Sequence, residues 1–259
     1  MGKESTPGGA DALASARTGD VVLITCPSRE AVVADISAQY VSVRWPWNQI
    51  DPESMMQWNG LRAIPLAPDA RDWSDEPFQV TTPPSSLHRG GVCEVGIPDT
   101  VAYVVHVAQF SEPLDVGWFP RPNTYVSLVA HGVKIFPDME EIGFTLDPDG
   151  EEPIESQLIC RPYSFLEDGD EAADSEGRMW KYRAPWNWTP FDNGPGAFPV
   201  WPLHLACRNG EENPDARANV AHATRFGGHG SEIARWLECA GLAEVPRLPP
   251  AVFGEDFPG

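Results

Sequence analysis

One segment of this chain is written twice. Arg44-Trp45-Pro46-Trp47-Asn48 returns as Arg183-Ala184-Pro185-Trp186-Asn187, and its flanks return with it. Upstream, Leu23-Ile24-Thr25-Cys26-Pro27 is echoed by Leu158-Ile159-Cys160-Arg161-Pro162. Downstream, Pro68-Asp69-Ala70-Arg71 is echoed by Pro214-Asp215-Ala216-Arg217. The offsets grow from 135 to 139 to 146 residues, so order is kept while loops lengthen. Ordered recurrence of this kind is the mark of one structural unit used twice. The chain is thereby expected to contain two related units.

The 27 prolines and 23 glycines argue against long helices and for short strands joined by rigid turns. In the first copy, residues 21–25, 31–36 and 40–45 read as strands, with Val41, Val43 and Trp45 alternating to one face. Three such strands with tight connections make a β-meander, the core of a small SH3-like barrel. Asp51 and Pro52 open a short helix that Gly60 ends. A proline-rich connector over 64–86 leads to strands at 92–95, 100–110 and 124–130, with a turn at 120–123. The middle one is apolar on both alternating sets, the pattern of a strand covered on both faces.

The second copy carries strands at 157–161 and 179–183. A helix is expected from Asn213-Pro214 towards Gly227-Gly228. Another is capped by Ser231, stopped by Gly241, and apolar at Ile233, Trp236, Leu237 and Ala240. The expected fold is β-rich α+β: two related SH3-like or small-barrel β units around an antiparallel sheet, with short peripheral helices. Residues 1–18 are expected to be a disordered tail, 19–145 the first unit with added strands, 146–245 the second unit ending in a helix, and 246–259 a proline-rich tail.

Thirty-eight acidic against 18 basic side chains give a net charge of −20. A field of that sign repels nucleic acid and anionic membranes and attracts a basic protein; it also keeps a chain soluble. The five cysteines are scattered without a C-x-x-C, which suits reduced thiols in a cytoplasm. Residues 1–18 lack the apolar centre of a signal peptide, and no apolar stretch reaches the ~18 to 20 residues that cross a bilayer. A cytoplasmic, soluble protein is expected.

The densest charge is Glu167, Asp168, Asp170, Glu171, Asp174 and Glu176. A like-charge run of this kind repels itself, stays solvated and serves as a lure for a basic partner. Trp47, Trp186 and Trp188 are core-sized aromatics and also the preferred anchors of interfaces; Arg44 and Arg183 stand beside them to stack or to grip a carboxylate. These eleven residues form the expected partner-binding set. Trp47 and Trp186 are in addition expected to be core residues.

His204, Cys207, His222, His229 and Cys239 hold metal-ligand residue types, but their spacing lacks the tight pairs of a structural zinc site, so no metal is expected. Asp147-Pro148-Asp149-Gly150-Glu151-Glu152 is similar to part of a calcium loop. Thr145 and Ser156 stand where further ligands belong, and a solvated turn is expected instead. The glycines of Gly227-Gly228-His229-Gly230-Ser231 lack the strand and lysine of a phosphate loop. No nucleophile, dinucleotide or metalloprotease motif is present, and no cofactor is expected.

The leading expectation is a non-enzymatic module that binds a basic protein, of the inhibitor or immunity type. The alternatives are an enzyme with a site assembled from His106, His131, His204 and Glu94, and an oligomerising scaffold.

Overall fold

A computed structural model of the chain describes residues 12–47, 60–66, 76–110, 124–133, 143–148, 150, 152–196 and 198–246. The expected helix between Asp51 and Gly60, the Pro68–Arg71 echo, the 120–123 turn and the proline-rich tail beyond 246 lie outside these residues. The chain divides into two compact units, the first built on Val22–Leu158 and the second on Arg17–Val21 with Ile159–Val245. Part of the stretch expected to be a disordered tail is packed. Leu13 is buried in the first unit, and its N–H donates to Ser156 Oγ at 3.1 Å.

The first unit is β-rich, with a curled antiparallel sheet. Its strands are β1 (Val21–Ile36), β2 (Tyr40–Arg44), β3 (Leu61–Pro65), β4 (Gln79–Val80), β5 (Val92–Gln109), β6 (Thr124–Ala130), β7 (Phe144–Leu146) and β8 (Glu155–Cys160), with Val21 of β1 and Ile159 and Cys160 of β8 counted in the second unit. The order is β3-β2-β1-β5-β6-β7, with β4 on β5 and β8 on β1. The strands expected at 21–25 and 31–36 are one 16-residue strand. Likewise, 92–95 and 100–110 merge into β5. A bulge between Val33 and Asp35 lets β1 bend while still pairing with β2. Gly96 permits a close crossing, since a Cβ there would stand 2.7 Å from the Cys26 carbonyl. In β5, Ala102, Tyr103, Val104 and Val105 are all buried, as its two-sided apolar pattern requires. Beneath the sheet, Trp45 and Trp47 meet edge to face at 4.9 Å and both pack on Phe78; the Arg62 guanidinium lies 4.4 Å above the Trp45 ring.

The second unit holds β9 (Glu171–Ala173), β10 (Met179–Arg183), β11 (Asn187–Pro190) and β12 (His204–Cys207) in the order β11-β10-β9-β12. Two helices among the described residues follow, α1 (Pro214–Ala223) and α2 (His229–Ala240). Asn213 caps α1 by accepting from the Ala216 N–H at 2.9 Å. That helix stops at Ala223, short of the glycines, because Thr224 turns its hydroxyl back to the Val220 carbonyl and accepts from the Leu203 N–H. Gly228, not Ser231, is the N-cap of α2. Ser231 sits at the third helical position and accepts from the Gly228 N–H at 2.8 Å. Gly241 ends the helix in the left-handed conformation, φ 66°. The core gathers Tyr163, Leu166, Trp180, Tyr182, Trp188, Leu203, Leu205 and Val220. Gly19, at φ 89°, lies so close to Pro185 that a Cβ would clash with it, and its carbonyl accepts from Trp236 Nε1 at 2.6 Å.

The repeated motif falls at corresponding places. Arg44 ends the middle strand of the antiparallel meander β1-β2-β3, and Arg183 ends the middle strand of β9-β10-β11. Both middle strands bury their second and fourth residues. The upstream echo does not correspond in this way. Cys26 lies within continuous β1, whereas Cys160 ends β8, which pairs with β1 and has no place in the four-stranded sheet. Residues 157–186 therefore do not match 21–47 strand for strand, because a turn over 162–169 breaks the first strand of the second copy. Among the described residues no helix is long and apolar enough to cross a membrane.

Candidate functional site

The acidic run is a folded element and not a solvated loop. Asp170 is 1% exposed; it accepts from Arg208 Nη2 at 2.8 Å and from the Glu167 N–H at 2.9 Å. Asp174 is 3% exposed and accepts from the Glu176 and Arg178 amides and from Trp180 Nε1. Burial alone would raise the Asp174 pKa, but these hydrogen bonds outweigh it and hold the carboxyl below its ordinary value. Glu167 pairs with Arg208 at 2.8 Å, Asp168 pairs with Arg183 at 2.6 Å, and Glu171 accepts from the Cys207 thiol. Only Glu176 is exposed among the six. Self-repulsion is relieved by arginines and turn amides, several of them tens of residues away in sequence.

The other expected contact residues divide similarly. Trp47 and Trp188 are buried, and the Trp47 indole N–H has no partner among the described residues. Trp186 is half-buried with its edge on Trp236 at 4.9 Å, so the core expectation holds fully for Trp47 and partly for Trp186. Arg183 is exposed but held by Asp168. Arg44 is exposed, in a shallow cleft of the first unit with Val32, Asp35, Leu61 and Arg89.

Sequence reasoning missed an exposed aromatic surface of the second unit. Tyr163, in the left-handed conformation at φ 46°, is ringed by Phe165, Tyr182, Trp188 and Trp201. Its hydroxyl meets Nδ1 of His229, the first residue of α2. Phe198 stacks on the outer side of His229, centroids 3.4 Å apart and planes 12° from parallel, yet stays 44% exposed. The Ser175 N–H donates to the Val200 carbonyl, which seats the segment around exposed Val200 on the β9–β10 turn beside Glu176. Trp201 is half-buried, and a Cβ at Gly227 would touch its ring at 3.5 Å. Phe226, the residue before that glycine, is 78% exposed. Phe198, Val200, Trp201 and Phe226 thus present apolar surface around the N-terminus of α2. The sequence signal was Phe198-Pro199-Val200-Trp201-Pro202, an apolar run fixed by prolines and without strand alternation.

The histidines do not converge. His204 is exposed on β12, Cys207 is bound to Glu171, His222 is exposed near the end of α1, and His229 is held by Tyr163. Among the described residues no three His, Cys, Asp or Glu side chains gather as a metal site would need. In the first unit His106 lies in β5, where burial lowers its pKa, and Glu94 is exposed beside Thr81. His131 instead lines a cleft of about 520 Å³ with Glu76, Phe78, Gln79, Asp99 and Thr100. Of the calcium-like segment, Asp149 and Glu151 lie outside the described residues, and Glu152 accepts from Trp45 Nε1 at 3.1 Å.

Comparison with family models, with curated proteins and with solved structures finds no match to this chain.

Proposed function

We propose that this chain is a non-enzymatic cytoplasmic protein-binding module. In this reading it captures a basic protein, in the manner of an inhibitor or immunity protein that covers a basic enzyme. The surface of Phe198, Val200, Trp201 and Phe226 is the contact. The observation that carries this reading is the exposure of two phenylalanines beside a half-buried tryptophan, an arrangement that costs solubility unless something covers it. Charge supports the sign of the partner. The first unit's sequence carries 24 acidic against 9 basic residues and the second's 14 against 9, so both attract cations. Steering then comes mainly from the first unit and holding from the second.

The test is affinity capture from the native host with the intact chain, Phe226→Ser and Phe198→Ala. The intact chain should retain a stoichiometric basic protein, and each variant should lose at least about tenfold in affinity while remaining folded, as expected for the loss of an aromatic anchor. Equal capture by all three proteins refutes the assigned surface. Self-association of the purified chain, abolished by the same variants, would favour the scaffold reading.

A second reading, an enzyme, rests on one cleft in which His131, Asp99 and Glu76 come together. It predicts a small-molecule ligand sensitive to His131→Ala and indifferent to Phe226→Ser.

The same proposal takes the two meanders as copies of one small SH3-like unit. Support comes from the Arg-x-Pro-Trp-Asn motif standing after the middle strand of each. If so, Pro68-Asp69-Ala70-Arg71 opens a helix as Pro214–Arg217 does, which NMR secondary shifts read directly. Extended shifts there would refute common descent of the segment.

A further inference from the structure

Cys160 closes β8 and is buried; Cys239 lies in the last turn of α2 and is half-exposed. The two are 79 positions apart in sequence, yet their side chains are hydrogen-bond neighbours. Nη1 of Arg235, one turn before Cys239 on the same helix, is 2.9 Å from Cys160 Sγ. The Arg235 guanidinium is itself fixed by Glu232 at 2.7 Å and by the Arg161 carbonyl at 2.9 Å. Cys26 and Cys93 are buried elsewhere, in the first unit, and Cys207 is occupied by Glu171. Two adjacent thiols, one reachable from solvent and one beside a fixed cation, are the components of an oxidisable dithiol.

We propose that Cys160 and Cys239 form a reversible intramolecular disulfide, with a hydroperoxide as the oxidant and Arg235 as the group that positions Cys160. Cys239 reacts first because it is the accessible thiol. Its sulfur attacks the peroxide, the O–O bond breaks, an alcohol leaves, and Cys239 becomes a sulfenic acid. Cys160 then attacks that sulfur. The S–S bond forms, the S–O bond breaks, and the hydroxide leaves as water with the Cys160 proton. Two thiols lose two electrons and two hydrogens while one peroxide becomes one alcohol and one water. Burial pushes the Cys160 thiol up to about 12, opposed by Arg235, and keeps it away from the peroxide; Cys160 gives up its proton only as it attacks the neighbouring sulfenic acid. The product ties the end of β8 to the last turn of the helix that carries His229.

The experiment treats the intact reduced chain with a small excess of tert-butyl hydroperoxide and reads its mass. The expected result is a loss of about 2 Da, restored by dithiothreitol, with one cross-linked peptide pair carrying Cys160 and Cys239. The oxidised chain should melt at least about 5 °C higher, since the new bond closes a long loop. Cys239→Ser should abolish the mass loss. Arg235→Gln should slow closure at least about tenfold while leaving alkylation of Cys239 unchanged, which separates positioning from mere packing. A cross-link to Cys207, a disulfide-linked dimer, or Cys239 passing to sulfinic acid beside a free Cys160 would each overturn the proposal. The wild-type mass measurement decides the matter even if a variant fails to fold.

Discussion

Asp174 decides whether the acidic run is a lure or a structural part. Oδ1 accepts from the backbone N–H of Glu176 at 3.0 Å and of Arg178 at 2.9 Å, and Oδ2 accepts from Trp180 Nε1 at 2.9 Å. Asp174→Ala removes both acceptor oxygens and with them all three hydrogen bonds. The Trp180 ring is 1% exposed, so its N–H has no water to turn to and costs ~1 to 3 kcal/mol. The two turn amides lie near exposed Ser175, Glu176 and Gly177 and regain part of their loss from solvent. Together the substitution should cost ~3 to 5 kcal/mol. Asp174→Asn keeps the shape but only one acceptor oxygen. Whichever end that oxygen serves, the amide NH2 faces an N–H on the other, at a cost of ~2 kcal/mol.

The pH dependence follows from the direction of the shift. The folded carboxyl is held below its ordinary value of 3.8, so the unfolded chain takes up the proton first as pH falls. The stabilisation is complete above the unfolded value and is lost as pH falls through the folded one. Urea denaturation followed by tryptophan fluorescence, at pH values from about 5 down to about 2, should therefore show the advantage of wild type over Asp174→Asn shrinking with acid. If Asp174→Ala stays within ~0.5 kcal/mol of wild type at neutral pH, the range of an ordinary surface change, the run is a solvated loop after all.

Two further outcomes are expected. Trp47→Ala and Trp188→Ala should each destabilise by ~3 to 5 kcal/mol in chemical denaturation, whereas half-buried Trp186→Ala should cost less; equal costs would mean that burial is not the determinant. Neutralising the exposed carboxylates Glu30, Asp35, Glu94, Asp99 and Glu155 of the first unit should slow association with the captured partner at least about tenfold at low salt, with little effect near 0.5 M salt or on dissociation. Surface plasmon resonance across a salt series measures this, and a larger effect from Glu176→Gln alone would return the steering role to the second unit.

Local patterns were legible and long-range pairings were not. Alternation at Val41 and Val43, the two-sided run at 102–105, the Asn213 cap and the Gly241 stop all depend on neighbours within a few residues, and the structure has them. The fate of Asp170 depends on Arg208, 38 positions away, so charge density alone read as repulsion. The position of β8 was hidden for the same reason, because its hydrogen-bond partner is β1 and no local signal names a partner strand. The apolar surface required two remote events. Segment 198–201 had to lie on the β9–β10 turn, and the N-terminus of α2 had to bring His229 under Phe198. Gly228 displaced Ser231 as the cap, and that shift placed His229, not a mid-loop residue, at the first turn of the helix.

His229 also makes the proposed contact surface sensitive to pH. Burial holds its pKa below the ordinary 6.5, with Glu232 opposing. Burial likewise pushes the Tyr163 phenol up, so the hydroxyl keeps its proton beside Nδ1. Protonating His229 would place a cation at a helix N-terminus, where the dipole disfavours it. A histidine whose folded pKa is depressed stabilises the fold fully above the unfolded value, and that contribution is lost as pH falls from about 6.5 through the folded value. Phe198 rests on the ring in question, so partner affinity should fall over the same interval. NMR titration of the His229 ring protons should give a midpoint below 6.5, and His229→Gln should flatten the pH dependence of both stability and binding between about pH 7 and pH 5. A His229 that titrates at or above the ordinary value, or a variant with the wild-type pH slope, would remove this histidine from the contact and leave Phe198 as surface without a seat.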